Sequence, residues 1–271
     1  MSEVVGAQGL SQAFGDVHAL KDVSFSVTGP GLVGLLGPNG AGKTSLLDIL
    51  EGLSASSAGE FRLFGEVFSA GKLPRGYPKA RVGVVMQQEA RLERIRVGEY
   101  AELFAAIQGV KQGAERILER AQLTTRKDQR LVRLSGGEAA RLFIATALVH
   151  EPELVFLDEP TAALDPESKH RVGDWLLELA AERTILLATH DLREADRLCQ
   201  QLIFLVGGEI KAWGSRRDLV QNVPARKRRG LEVEDAFFHY CDVTIRAGLA
   251  IAPESPGKNL PDADLDGASE S

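Results

Sequence analysis

Three stretches of this chain carry residue types and spacings suited to the chemistry of phosphates. Gly37-Pro38-Asn39-Gly40-Ala41-Gly42-Lys43-Thr44 fits the spacing G-x-x-x-x-G-K-[ST], with an apolar run at Leu32–Leu36 before it and a helix-period stretch after it. Glycines there let the backbone turn so tightly that successive amides converge on phosphate oxygens, and a helix starting near Lys43 adds its positive end. Lys43 brings a full charge to the β and γ phosphates, the Thr44 hydroxyl can ligate Mg²⁺, and Ser45 keeps a second hydroxyl beside it. Further on, the apolar run Leu154–Leu157 ends in Asp158-Glu159-Pro160, so two carboxylates stand at a strand terminus, where open α/β sheets present groups to ligands. Asp158 suits the Mg²⁺ shell, and Glu159 is placed to polarise a water for in-line attack on the γ phosphate. Between these two lies Leu134-Ser135-Gly136-Gly137-Glu138, a second helix start able to hold an anion through amides and a serine hydroxyl. Hydrolysis of a nucleoside triphosphate is the chemistry these groups share.

Such residues must be positioned by a sheet whose strand ends line up. Short apolar runs at Leu32–Leu36, Val82–Met86, Leu154–Leu157, Ile185–Ala188 and Ile203–Val206 alternate with helix-period stretches, which predicts an α/β fold with a largely parallel central sheet. Alternating segments at Val4–Leu10, Ala19–Val27 and Gly59–Phe64 predict an antiparallel layer beside it. Val97–Leu123 reads as two helices broken at Gly109–Gly113.

Composition excludes other classes. With 44% hydrophobic residues among 271 the chain can bury a core, and a net charge of −6 argues against a nucleic-acid partner, which would need a basic face. Cys199 and Cys241 are far apart, so neither a disulfide framework nor a familiar zinc pattern is expected, and both thiols read as inert. The first twenty residues lack the pattern of a leader, and no segment has the apolar length of a spanning helix. Arg226–Arg229 form a basic linker, and from Pro253 onward five carboxylates face the single Lys258 in a tail rich in Pro, Gly, Asp and Ser that reads as disordered.

With LSGGE placed after the glycine loop and ahead of the Asp-Glu strand, residues 1–220 resemble the ATP-binding subunits of ABC transporters. That resemblance implies a P-loop NTPase (ABC ATPase) core with an antiparallel β layer and a helical subdomain, ATP and Mg²⁺ as ligands, and ATP hydrolysis as the activity. It divides the chain into an ATP-binding domain at 1–222, a linker with a short amphipathic segment at 223–252, and an acidic tail at 253–271. It assigns Gln87 to touch Mg²⁺ or the lytic water and to sense a membrane partner, with Gln88 the competing choice. His190, in Leu187-Ala188-Thr189-His190-Asp191, looks like the switch histidine that reaches the γ phosphate. Asp165 resembles the residue coupling the two sites of a dimer, and Phe14 occupies the place of the aromatic that stacks on adenine or simply packs in the core.

The same resemblance implies head-to-tail pairing, as a homodimer or with a second ABC subunit, so that the glycine loop of one subunit faces Ser135–Gly137 of the other across ATP. It implies a separate transmembrane permease as partner, contacted through the region after Gln87, and a location peripheral to the cytoplasmic face of the cell membrane. The segment Leu231–Phe238 resembles the end segment of exporter subunits, which favours export over import; the alternative is a soluble ABC-type ATPase serving assembly of another factor, such as an iron–sulfur scaffold. Two departures stand out: Glu138 where glutamine is commoner, and Ala139-Ala140 where a polar or basic pair is usual, which raises the expectation of a slow ATPase.

Overall fold

The computed structural model describes residues 2–86, 94–225, 230 and 232–241, with the backbone at 245–246 and 249–250. Its centre is a six-stranded sheet. The strands are β3 (Gly31–Leu36), β6 (Val82–Val85), β7 (Leu154–Asp158), β8 (Thr184–Thr189), β9 (Gln201–Val206) and β10 (Glu209–Ser215), in the order β10-β9-β3-β8-β7-β6. Every neighbouring pair is parallel except β9 with β10. Because helices or a second sheet cover both faces, the strands read as unbroken apolar runs: on β3, Leu32 and Leu36 enter one core cluster while Val33 and Leu35 enter another.

The second sheet is antiparallel, in the order β2 (Val17–Thr28), β1 (Glu3–Phe14), β4 (Ala58–Leu63), β5 (Glu66–Ser69). Its inner face, with Val5, Leu10, Val23, Phe25 and Phe61, packs on α1 (Lys43–Leu50) and on Val33, Leu35 and Phe156 of the central sheet. Helix α1 buries Lys43, Leu46, Leu47, Ile49 and Leu50, a broad, mostly apolar stripe at helical spacing.

Two helices, α2 (Val97–Ile107) and α3 (Gly113–Arg120), form a third cluster with α4 (Gly136–Ala147), in which Tyr100 lies edge-on to Phe143 at 5.4 Å between ring centres. The other face of the central sheet is covered by α4, α5 (Pro166–Ala180), α6 (Leu192–Leu198), α7 (Arg216–Gln221) and α8 (Glu232–Cys241). Helix α8 is pinned there: Val233, Ala236, Phe237 and Cys241 are buried, Phe237 stands edge-on to Phe204 at 5.4 Å, and Arg216 bridges Asp196 and Glu232 at 2.9 and 2.8 Å. Cys199 and Cys241 are both free and buried, and burial pushes both thiols up, Cys241 to about 12. Among the described residues no helix is long and apolar enough to cross a membrane.

Strands β5 and β10 go beyond the sequence reading, as does a short antiparallel pair, β11 (Ile245–Arg246) with β12 (Leu249–Ala250), and β5 and β10 each close a two-residue hairpin. Phe64 and Gly65 have φ of 52° and 85°, and Gly207 and Gly208 have 60° and 82°, the doubly positive turn whose twist suits antiparallel strands. Residues 87–93, 226–229 and 251–271 lie outside those described. Gln87 with its rival Gln88, the basic run Arg226–Arg229 and the acidic tail therefore all fall outside.

Candidate functional site

The site forms where β3, β7 and β8 end on the same side of the sheet. Between β3 and α1 the chain makes a loop that only glycine permits at two points. An added Cβ at Gly37 would run into the carbonyl of Leu205, and Gly42, at φ 103°, presses against the carbonyl of Ala19 on β2. The loop is tied down from outside by a hydrogen bond from the Gly208 amide to the Ala41 carbonyl at 3.0 Å. Asn39 and Gly40 are exposed at its tip, Pro38 is half-buried, and Ala41 is buried.

Lys43 is buried, at 7% exposure, and its ammonium donates to the carbonyls of Gly37 at 2.8 Å and Pro38 at 3.3 Å while lying 3.5 Å from Glu159 Oε1. The loop thus folds back on its own lysine and fixes where the charge sits. One residue on, the Thr44 hydroxyl donates to Asp158 Oδ2 at 2.9 Å. Ser45 follows on the same helix, half-buried. Asp158 is buried, and its other oxygen, Oδ1, has no hydrogen-bond partner among the described residues. Burial pushes its carboxyl above the ordinary range; the charges of Glu159 and Asp48 add to this, and the Thr44 hydroxyl and Lys43 oppose it.

Glu159 takes φ of 51°, a left-handed conformation that costs a non-glycine residue energy, and its amide still bonds to the Ala188 carbonyl of β8 at 3.0 Å. Its carboxylate lies between two partners. On one side is Lys43; on the other, Nδ1 of His190 lies 2.8 and 2.9 Å from the two carboxylate oxygens. Lys43, Thr44, Asp158, Glu159 and His190 thus converge from three elements.

Other sequence-assigned residues form a second group. Ser135 caps α4 through a reciprocal box: its amide and hydroxyl donate to Glu138 Oε2 at 2.9 and 3.1 Å, and the Glu138 amide donates back to Ser135 Oγ at 3.3 Å. Arg126 lies 3.1 Å from the other Glu138 oxygen. Space at Gly136 and Gly137 is closed by Leu164 and Ser168, which places this turn beside Asp165, the cap of α5. Ser135 and Gly136 themselves are exposed, and among the described residues no hydrogen bond joins them to Gly37–Ser45. Ala140 is buried in the core, so that half of the Ala139-Ala140 departure is a packing choice.

Phe14 ends β1 and is 57% exposed beside the equally open Val17, so its ring is not core packing. A further set of residues passed over in the sequence, Thr161, Thr189 and Glu194, is buried directly behind Glu159 and His190. The sequence signal was slight: an acidic residue in the first turn of α6, four after His190.

Comparison with known proteins gives this geometry its relatives. The family model for the ABC transporter matches residues 20–162, more than half of the chain. The chain belongs to that family. An export ATP-binding protein of Cupriavidus pinatubonensis, "Nod factor export ATP-binding protein I", is 36% identical over 232 residues, covering 82% of this chain and 69% of the relative. Its counterpart from Paraburkholderia xenovorans is 38% identical over 219 residues, 78% and 70% of the two chains. Among solved structures, an ATP-binding subunit of an ABC transporter superposes with a TM-score of 0.73 at 26% identity, covering 88% of this chain and 99% of that one. A dimeric cassette in a post-hydrolysis state with ADP and Pi superposes at 0.68 and 25% identity, over 78% and 98%. The fold is thus the P-loop ATPase core of an ABC cassette, and the cassette is an ATP-hydrolysing subunit of a membrane transporter. The soluble assembly-factor alternative is not favoured by relatives named for export.

Proposed function

We propose that this cassette binds Mg-ATP between two head-to-tail subunits and drives export through a separate transmembrane permease. The observation carrying this reading is the constellation of Lys43, Thr44, Asp158, Glu159 and His190 at the ends of three adjacent strands. Lys43 meets the β and γ phosphates, drawn from its place beside Glu159. Thr44 and Asp158 would hold Mg²⁺: both offer hard oxygen donors, and the partnerless buried Oδ1 of Asp158, with its upward-pushed carboxyl, is the kind of atom a divalent cation satisfies. When bound, the ion supplies charge neutralisation across the phosphate oxygens. Glu159 orients and polarises the attacking water, and His190 steadies that carboxylate and reaches the γ phosphate. Phe14, open to solvent on the hairpin whose second strand crosses the glycine loop, offers a ring for adenine.

Ser135 and Gly136, exposed at the start of α4, face a nucleotide held by the partner subunit, and Asp165 beside them lies along the seam between subunits. Gln87 keeps its proposed part as the sensor of the permease. Met86, the residue before it in sequence, and Leu53 and Leu73 are open apolar side chains of the kind a short permease helix would cover. Such docking places the cassette at the inner face of the membrane, and the naming of its relatives supports export.

The deciding experiment is Glu159→Gln. The variant is expected to bind Mg-ATP, to turn over at least about a hundredfold more slowly, and to accumulate as an ATP-bound dimer on size exclusion. A variant that hydrolyses at the normal rate overturns the role given to Glu159.

A further inference from the structure

Glu194 sits in the first turn of α6, whose cap, Asp191, accepts from the amides of Arg193 and Glu194 at 3.1 and 3.2 Å. Its side chain runs back beneath the two strand ends that carry Glu159 and His190. There the Thr161 hydroxyl donates to Glu194 Oε1 at 2.6 Å, and the Thr189 hydroxyl donates to Oε2 at 3.0 Å. Thr161 and Thr189 are each 2% exposed and Glu194 is 8% exposed. Thr189 Oγ also accepts the Asp191 amide at 3.0 Å, which leaves its proton aimed at Glu194.

Thr161 lies two residues after Glu159, and Thr189 one residue before His190. One carboxylate therefore ties the loop bearing the water-polarising glutamate to the strand end bearing its imidazole partner. An ionised carboxylate is well matched to this place, since it offers two acceptors and no donor to two converging hydroxyls. Burial pushes its carboxyl up, the two hydroxyls oppose that, the Asp191 charge adds to it and Lys169 offsets it. Burying such a group costs more than an apolar side chain would, and what it provides here is a fixed spacing between two loops.

We propose that Glu194 is a positioning residue for ATP hydrolysis, holding Glu159 and His190 in register through Thr161 and Thr189. The proposal rests on the roles assigned above to Glu159 and His190. Glu194→Ala frees both loops and leaves two buried hydroxyls without acceptors. Glu194→Gln keeps the shape, accepts from one hydroxyl and donates to the other.

The test measures steady-state Mg-ATP hydrolysis and melting temperature for the full chain and its variants. Glu194→Ala is expected to lower kcat by on the order of tenfold to a hundredfold, with KM for ATP changed by less than about twofold. Glu194→Gln is expected to recover most of that loss. Leu219→Ala, a buried position on α7 away from the site, serves as the stability control and is expected to keep kcat at a comparable loss of melting temperature. In a His190→Ala background, Glu194→Ala is expected to add little, since the pair it aligns is already broken.

Losses that multiply in that double variant, an equal kcat loss in Leu219→Ala, or a KM effect with kcat intact would each overturn the proposal. If Glu194→Ala does not fold, Thr161→Val removes one tie with little change of shape, and an unchanged kcat in that variant overturns the proposal as well. Glu159→Gln, run alongside, separates the two levels: full turnover there refutes the reading of the site rather than the alignment by Glu194.

Discussion

At the scale of single residues, the site is a set of charges held in place by backbone. Lys43 reaches its position because Gly37 and Pro38 turn their carbonyls onto its ammonium, so the cation is aimed before any phosphate arrives. Lys43→Ala removes that charge and leaves Glu159 with His190 as its remaining ion-pair partner among the described residues. With charge-assisted hydrogen bonds worth roughly 1.5–3 kcal/mol each, loss of two phosphate contacts weakens ATP binding by at least about a hundredfold. Titration calorimetry with Mg-ATP checks this, and unchanged affinity refutes it. A second residue, Glu51, closes α1 at 8% exposure. Burial, with the nearby charges of Asp48 and Asp158, pushes its carboxyl up to about 8. The folded protein therefore keeps a proton that the unfolded chain loses near the usual carboxylate value. Stability from this group is full below about pH 4.5 and falls, by up to about 1.4 kcal/mol per pH unit, until the folded group itself ionises near pH 8. Glu51→Gln mimics the neutral acid, so the melting-temperature advantage of the variant over the parent should widen from pH 5.5 to pH 8 without nucleotide. A constant difference between the two would rule this out.

At the scale of elements, legibility followed the period of the sequence. Strands β3, β7, β8 and β9 were readable because both faces are buried, which writes them as continuous apolar runs, and the break of α2 from α3 was readable from Gly109 and Gly113. Strand β10 was not, since its residues are all half-buried or exposed and show no alternation; only Gly207-Gly208 signalled the hairpin. Strand β5 follows a Phe64-Gly65 turn, in which phenylalanine takes a positive φ that its type does not advertise. The loop residues and the Asp-Glu pair stood out from local spacing alone. What stayed hidden was the network joining Thr161, Thr189 and Glu194, because its members come from three elements and meet only after folding. Helix α8 was visible as an amphipathic stretch, but its docking was not. Phe237 is buried against Phe204 and belongs to the core cluster under the sheet. Phe237→Ala should cost about 3–5 kcal/mol, while ATP binding by the folded fraction stays unchanged. Urea unfolding followed by fluorescence measures the first and nucleotide titration the second; an unaltered midpoint would show that α8 adds nothing to the fold.

At the scale of the whole molecule, the proposed site is divided between two groups that do not meet within one chain among the described residues. The phosphate-facing group of Lys43, Thr44 and Asp158 lies at the strand ends, whereas Ser135 and Gly136 stand open at the start of α4, next to Asp165. A two-fold axis would bring the exposed turn of each subunit onto the nucleotide of the other, giving two equal sites per dimer. This arrangement makes a sharp expectation about mixtures. Ser135→Asp keeps an acceptor for the Glu138 amide at the cap of α4, loses the hydroxyl's donation to the Glu138 carboxylate, and sets a negative charge against the γ phosphate. Lys43→Ala empties the other half. Each variant alone pairs into dimers with two damaged sites and should hydrolyse ATP at a residual rate. In an equal mixture, the crossed dimer concentrates both defects in one site and leaves the other intact. Since half of randomly formed dimers are crossed and each has one sound site of two, the mixture should recover roughly a quarter of the parent rate. Phosphate release measured against mixing ratio would trace a maximum at equal proportions. A mixture no more active than the sum of its two components would mean that Lys43 and Ser135 serve one nucleotide from the same chain, or that they do not share a nucleotide at all.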